Sequence, residues 1–182
     1  MYAHRRVYVK QCEHEKPEER YTVRVERGGK PVAGIQSERI SSVDEEVMYW
    51  RKANHIHGWF VDNVLEGDDD CRDTEVSREQ IRELLRVCRT VIANSRLVRG
   101  MVVKCEKLED GVWVKHRSPG NVIENSTVAH KLLPVRKGFF FGREEYDEHY
   151  LYEVERTRDW AFRMLADFDN WVPGDIIYSS SS

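Results

Sequence analysis

Long apolar runs are missing from this chain of 182 residues. Nothing in it approaches the roughly 18 consecutive apolar side chains of a membrane-spanning helix, and the start, MYAHRRVYVK, has no apolar centre like that of a secretory leader. Both absences predict a soluble, intracellular protein. Cysteine is sparse as well. Cys12, Cys71, Cys88 and Cys105 lie far apart with no Cys-x-x-Cys pair, which removes the zinc knuckle and the thioredoxin-like redox site and leaves buried or idle thiols. Positive charge is not in excess: 29 Lys and Arg against 32 Asp and Glu give a net charge of -3. That balance excludes a protein held on nucleic acid mainly by counterion release, although a local basic pocket stays compatible with it. There is no Gly-rich phosphate loop, no Gly-x-Ser-x-Gly elbow and no His-Glu-x-x-His helix, so an enzymatic reading has no anchor. Asn125-Ser126-Thr127 matches a glycosylation acceptor, a motif without consequence in a chain that is not secreted.

Apolar residues make up 40% of the chain and include five Trp, eight Tyr and six Phe, enough to build a core and too many for a disordered segment. Residues 21–36 alternate through Tyr21, Val23 and Val25, break at Gly28-Gly29-Lys30-Pro31, and resume at Val32 and Ile35, which predicts a first hairpin. Met101, Val103 and Cys105, then Val112 and Val114 across Leu108-Glu109-Asp110-Gly111, predict a second, with residues 117–127 as a loop or insertion. Three helices are expected. The first opens on Ser42-x-x-Glu45, a capping-box pattern, and runs to about Val64. The second opens on Ser77-x-x-Gln80 and stacks Ile81, Leu84, Leu85, Cys88, Val91 and Ile92 on one stripe. The third follows Gly142 and places Tyr146, Tyr150, Val154, Ala161, Met164, Leu165 and Phe168 on one side. The expectation is one α+β domain over residues 1–178, its core formed by three helices and decorated by two hairpins, with residues 179–182 frayed.

The segment 49–61 carries the most chemistry. At about 100° per residue, Tyr49, Ala53, Ile56, Phe60 and Val64 share an inward face flanked by Trp50, His57 and Val61. Arg51 and Asn54 project from the polar side, with Lys52 and Trp59 on another, so polar and aromatic groups surround the predicted helix. A helix wedged between hairpins and other helices would show the same pattern, with Arg51 and Asn54 tying down loops. The functional alternative has Arg51, Asn54 and His57, supported by Trp50 or Trp59, bordering a pocket for a planar or anionic, nucleotide-like ligand, because guanidinium forks grip phosphates and indoles stack on bases. Arg136-Lys137 and Arg143 bracket Gly138-Phe139-Phe140-Phe141-Gly142, where the amides opening the third helix can receive an anion, so Arg143 and Tyr146 join that candidate site. No metal is expected. His55 and His57 diverge by about 200° on a helix, and the run Glu66-Gly67-Asp68-Asp69-Asp70 before Cys71 lacks the alternating spacing of a calcium loop. The carboxylates of Glu144-Glu145 and Tyr146-Asp147-Glu148-His149 suit a helix start without catalysis.

Taken together, Tyr49-Trp50-Arg51-Lys52-Ala53-Asn54, Ile56-His57, Trp59-Phe60-Val61, Asn63-Val64, Asp69-Asp70-Cys71, Val76-Ser77-Arg78-Glu79-Gln80, Leu132-Leu133-Pro134, Gly138-Phe139-Phe140-Phe141-Gly142 and Tyr146-Asp147-Glu148 resemble a family of small uncharacterised proteins of bacteriophages and prophages. The likeness spans residues 49–80 and 132–152, and the second hairpin, within residues 97–130, reads as an insertion relative to shorter members. It departs from the family after Gly142, where Arg143-Glu144 replaces a hydroxyl pair and His149 stands where an aromatic is common. The family has no established catalytic residues, so the resemblance transfers no role. It implies a viral accessory protein in the bacterial cytoplasm that neutralises a host component. The expected activity is sequestration of a small nucleotide-like or anionic ligand, such as an antiviral defence signal, without catalysis and without a cofactor. The alternatives are an inhibitor that binds a host enzyme through exposed aromatics, or a hydrolase using His57 with Tyr146 or Asp147. No membrane and no sequence-specific nucleic acid is expected as a partner, while hairpin edges favour a homo-oligomer.

Overall fold

Strand alternation at the extreme N-terminus builds the centre of the molecule. In the computed structural model, which describes residues 1–10, 15–109, 111–136 and 145–180, Tyr2–Tyr8 (β1) lies between Ser42–Tyr49 (β4) and Asp175–Ser179 (β8), both antiparallel to it. Thr74–Glu75 (β5) completes a four-stranded sheet in the order β4-β1-β8-β5. Glu26–Arg27 (β2) and Lys30–Pro31 (β3) form a small hairpin, and Leu97–Glu109 (β6) with Val112–Ile123 (β7) a long one. The helices among the described residues are Asn54–Asn63 (α1), Arg78–Ala93 (α2), Thr127–Leu132 (α3) and Glu148–Asp169 (α4). The fold is therefore mixed α+β, but its core is shared between sheet and helices.

Alternation decides which side of the sheet is covered. Ala3, Met48, Ile176 and Tyr178 point to the helices and are buried. Phe60 of α1 stacks on Tyr178 with ring centroids 4.0 Å apart, and Trp50 meets Trp160 of α4 edge-on at 5.2 Å. The buried Trp50 indole donates through Nε1 to Thr157 Oγ1 at 2.8 Å, and the Thr157 hydroxyl donates onward to the Glu153 carbonyl at 2.7 Å. One hydroxyl thus satisfies the end of β4 and a turn of α4 together.

The first predicted helix is wrong over its first half. Residues 42–49 form a strand because Asp44 and Glu45 face cations across the sheet instead of a helix N-terminus: Arg6 holds Asp44 through Nε at 2.9 Å and a terminal nitrogen at 2.8 Å, and Arg5 reaches Glu45. The chain then turns at Lys52, whose φ of 61° no helix accommodates, and α1 starts at Asn54. The first predicted hairpin shrinks to β2 and β3 around Gly28 and Gly29, whose positive φ angles suit a tight hairpin turn; Tyr21, Val23 and Val25 lie outside the strands, with the Val25 carbonyl accepting the Val32 amide at 3.1 Å.

The second hairpin is longer than its sequence pattern, since residues 117–123 are strand and not loop. Pro119 is tolerated because a two-stranded ribbon is all edge. Gly100 faces Gly120 where a Cβ on either would come within 2.6 Å of a valine methyl, so the pair keeps the ribbon closed. The Ser77–Gln80 capping box forms as expected: Ser77 Oγ accepts from the Gln80 amide at 3.2 Å, and Gln80 Oε1 accepts from the Ser77 amide at 2.8 Å. The last helix begins at Glu148, capped by Asp147, so Tyr146 precedes it. Ser179 pairs with Tyr2 and is part of the sheet, not a frayed tail. The triplet Phe139-Phe140-Phe141 lies outside the described residues.

Thr157→Val removes the acceptor and leaves a buried indole N–H unpaired, which costs about 1–3 kcal/mol. Urea unfolding should show that loss, and in the double variant with Trp50→Phe the two losses should sum to more than the measured one; full additivity would show that the bond contributes nothing.

Candidate functional site

Segment 50–61 is where the sequence places recognition, and burial accounts for most of its polar groups. Trp50 is spent on Thr157, as described. Asn54 is buried at the first turn of α1, where Oδ1 accepts the Arg136 amide at 3.0 Å. The Arg136 stem crosses α1 at Gly58, where a Cβ would collide with it, and its guanidinium pairs with Asp62. Glycine therefore lowers the helix surface so that the 134–136 segment can be strapped across it. Trp59 is buried and meets Phe60 edge-on. Arg51 is exposed in the turn before the helix.

His57 bridges the helix, the sheet and the acidic loop. Its Nδ1 lies 2.6 Å from Tyr178 Oη and its Nε2 2.8 Å from an Asp69 carboxylate oxygen. A carboxylate only accepts, so Nε2 donates to Asp69, which leaves Nδ1 to meet the Tyr178 hydroxyl. Burial and the Asp69 charge push the Tyr178 phenol up, which keeps that proton in place. The other Asp69 oxygen accepts from Ser180 at 3.1 Å. The sequence grouped His57 with Asp69 as metal candidates. The structure brings them together as a hydrogen-bonded latch, and among the described residues no three His, Cys, Asp or Glu side chains cluster to hold an ion.

His55 is buried against Tyr150, ring centroids 4.1 Å apart, and its Nε2 has no partner among the described residues. Burial, aided by nearby His149, pushes its pKa down to about 3. Tyr146 Oη lies 3.0 Å from His130 Nδ1 and accepts the Val135 amide at 3.3 Å, fixing the entry to the last helix. Arg143 lies outside the described residues. Trp50, Asn54, His57 and Trp59 are thus gathered around one helix, facing its interior, with Arg51 outward and Tyr146 on a separate junction. A cleft of about 370 Å³ opens elsewhere, between the base of the long hairpin and α4, lined by Gly120, Asn121, Glu148, His149 and Tyr152.

No protein-family model, curated protein or solved structure matches the chain. No helix among the described residues is long and apolar enough to cross a membrane. Functional argument therefore rests on the surface.

The feature not singled out in the sequence is the far half of the β6–β7 ribbon. Its base is anchored: the Val103 amide donates to Glu145 Oε2 at 2.7 Å, Arg117 pairs with the same carboxylate, and the Ile123 amide donates to the Tyr146 carbonyl at 2.9 Å. Of the described side chains beyond Val103 and Arg117, all but His116 are exposed. Leu108 and Trp113, directly opposed in the ladder, are 59% and 64% exposed, and Val112 is 64% exposed on the reverse face. With strands of this length the ribbon extends roughly 40 Å. Val112 and Val114 define the strand in the sequence, and Trp113 between them was the available signal: a tryptophan at an outward position of an alternating strand.

His55 sets a pH dependence. The unfolded imidazole protonates near its ordinary 6.5 while the folded one stays neutral to about 3, so stability falls as pH drops below 6.5, by about 1.4 kcal/mol per pH unit. His55→Phe keeps the ring packing and removes the titration. Denaturant unfolding at pH 7 and pH 5 should show the wild type losing about 2 kcal/mol more than the variant; equal losses would place the charged imidazole comfortably in the fold.

Proposed function

We propose that the chain is a non-catalytic accessory protein of a bacteriophage or prophage that binds and inhibits a host protein in the bacterial cytoplasm, with the distal β6–β7 ribbon as its contact element. The observation that supports this reading is the ribbon itself: an anchored base and a projecting end that exposes Leu108, Val112 and Trp113 with no packing of its own. Exposing an indole and two aliphatic side chains on a projecting strand pair forgoes their burial energy, about 1.5–3 kcal/mol each, which a partner's surface would recover. Tryptophan is also the residue type most enriched at binding hot spots.

The small-ligand reading draws less support, because Trp50, Asn54 and His57 have their hydrogen-bonding groups engaged inside the protein and Arg51 is left as its exposed cation. A hydrolase would need His57 beside Tyr146 or Asp147, whereas His57 is held by Tyr178 and Asp69, Tyr146 by His130, and Asp147 caps α4.

The test begins by identifying a host protein that co-purifies with the full chain and reconstituting the pair from pure components. Replacing Leu108 and Trp113 together with alanine should weaken that complex by about 30-fold or more without moving the melting temperature. Undiminished affinity in the double variant, together with a nucleotide-induced thermal shift that Arg51→Ala abolishes, would transfer the function back to the Trp50–Trp59 helix.

A further inference from the structure

The outer half of the ribbon has a reverse face, and a bulge decides what stands on it. From the base the ladder runs in regular register as far as Val103 opposite Arg117, and the next pair is Cys105 opposite His116, so β6 carries one extra residue there. In an unbroken ladder Lys104 would oppose His116; the extra residue sets Cys105 in that place instead. Beyond this pair the same face bears Lys107 opposite Val114 and Glu109 opposite Val112, while Leu108 and Trp113 point the other way. Directly opposed side chains have Cβ atoms about 5 Å apart, which brings a thiol and an imidazole within reach of each other.

The imidazole is held from the side of the ribbon tip. His116 Nε2 lies 2.7 Å from a Glu109 carboxylate oxygen. Since the carboxylate only accepts, Nε2 donates to it, and Nδ1 is the ring nitrogen left to exchange a proton. Cys105 is exposed and His116 partly so, which opens the pair to a reagent in solution. Thiol, imidazole and carboxylate thus stand in the order nucleophile, base and orienting group. The other described cysteines are placed differently. Cys88 is buried in the core, where burial pushes its thiol up to about 12, and Cys71 is half-buried in the loop after α1. Lys107 is the further ionisable group on the ribbon's reverse face, and Arg117, on the opposite face, is paired with Glu145.

We propose that Cys105 is a thiol-modification site, at which its sulfur attacks a small soluble disulfide while His116, oriented by Glu109, takes the thiol proton. A bond forms between Cys105 Sγ and one sulfur of the reagent, the reagent's S–S bond breaks, and the other half leaves as a thiolate that takes up the proton from His116. Cys105 is oxidised to the disulfide level and the departing half is reduced, so the exchange needs no further oxidant. The resulting mixed disulfide stands in solvent beside Val114, where a second thiol can reverse it. The experiment uses the purified chain with no partner present, so its failure leaves the host-protein reading standing.

Glutathione disulfide is the probe. Mass spectrometry of the reduced full chain, treated at pH 7 and mapped by peptide, should find the first glutathionyl group on Cys105, with none at that position in Cys105→Ser. His116→Gln should slow the reaction at Cys105 about threefold or more at pH 7, a modest factor because a better-stabilised thiolate is also a weaker nucleophile. At about pH 9.5, where alkali ionises a thiol without help, its rate should match the wild type. Glu109→Gln keeps the imidazole but loosens its orientation, and its rate at pH 7 should fall between the two. Circular dichroism melts verify that each variant is folded. Faster modification of another cysteine, equal rates for His116→Gln and wild type at pH 7, or a deficit that persists at about pH 9.5 would overturn the proposal.

Discussion

Satisfying one buried indole organises this molecule. Trp50 follows directly on β4, sits in the core against Phe60 and Trp160, and has a single indole N–H that finds its acceptor away from water. Thr157 supplies it, which fixes the distance between sheet and α4 and leaves α1 as the element wedged between them. Once α1 is wedged, its other polar side chains are drawn inward as well. Asn54 accepts the Arg136 amide, His57 joins Tyr178 to Asp69, and Gly58 clears the path for Arg136. The hydrogen-bonding groups that look like a binding site in the sequence are the fastenings of a helix packed on nearly every side.

That explains which parts of the fold were legible. The Ser77–Gln80 box and the stripe from Ile81 to Val91 involve neighbours on one helix, so local pattern suffices and α2 appears as expected. The alternation of Met101 and Val103, then Val112 and Val114, likewise marks the long hairpin. Ser42-x-x-Glu45 misleads because the partners of its carboxylates, Arg5 and Arg6, are about forty residues away in β1, and a window along the chain does not contain them. The central strands escaped for the same reason: β1 and β8 pair residues from the two ends of the chain. The latch between His57 and Asp69 was visible only as a suspicious grouping, since nothing local distinguishes a metal pair from a hydrogen-bonded one.

With the helix accounted for, the surface offers a feature that folding does not use: a projecting ribbon with a bare tryptophan. That ribbon is the element with which the chain would engage a host protein.

The central claim is that contact resides in the ribbon and structure in the tryptophan helix. Amide hydrogen exchange of the full chain, with and without its reconstituted host partner, tests it directly. The account predicts added protection within residues 97–123 and unchanged exchange at residues 50–59, most of which are buried. Added protection at 50–59 with an unaltered ribbon would contradict it.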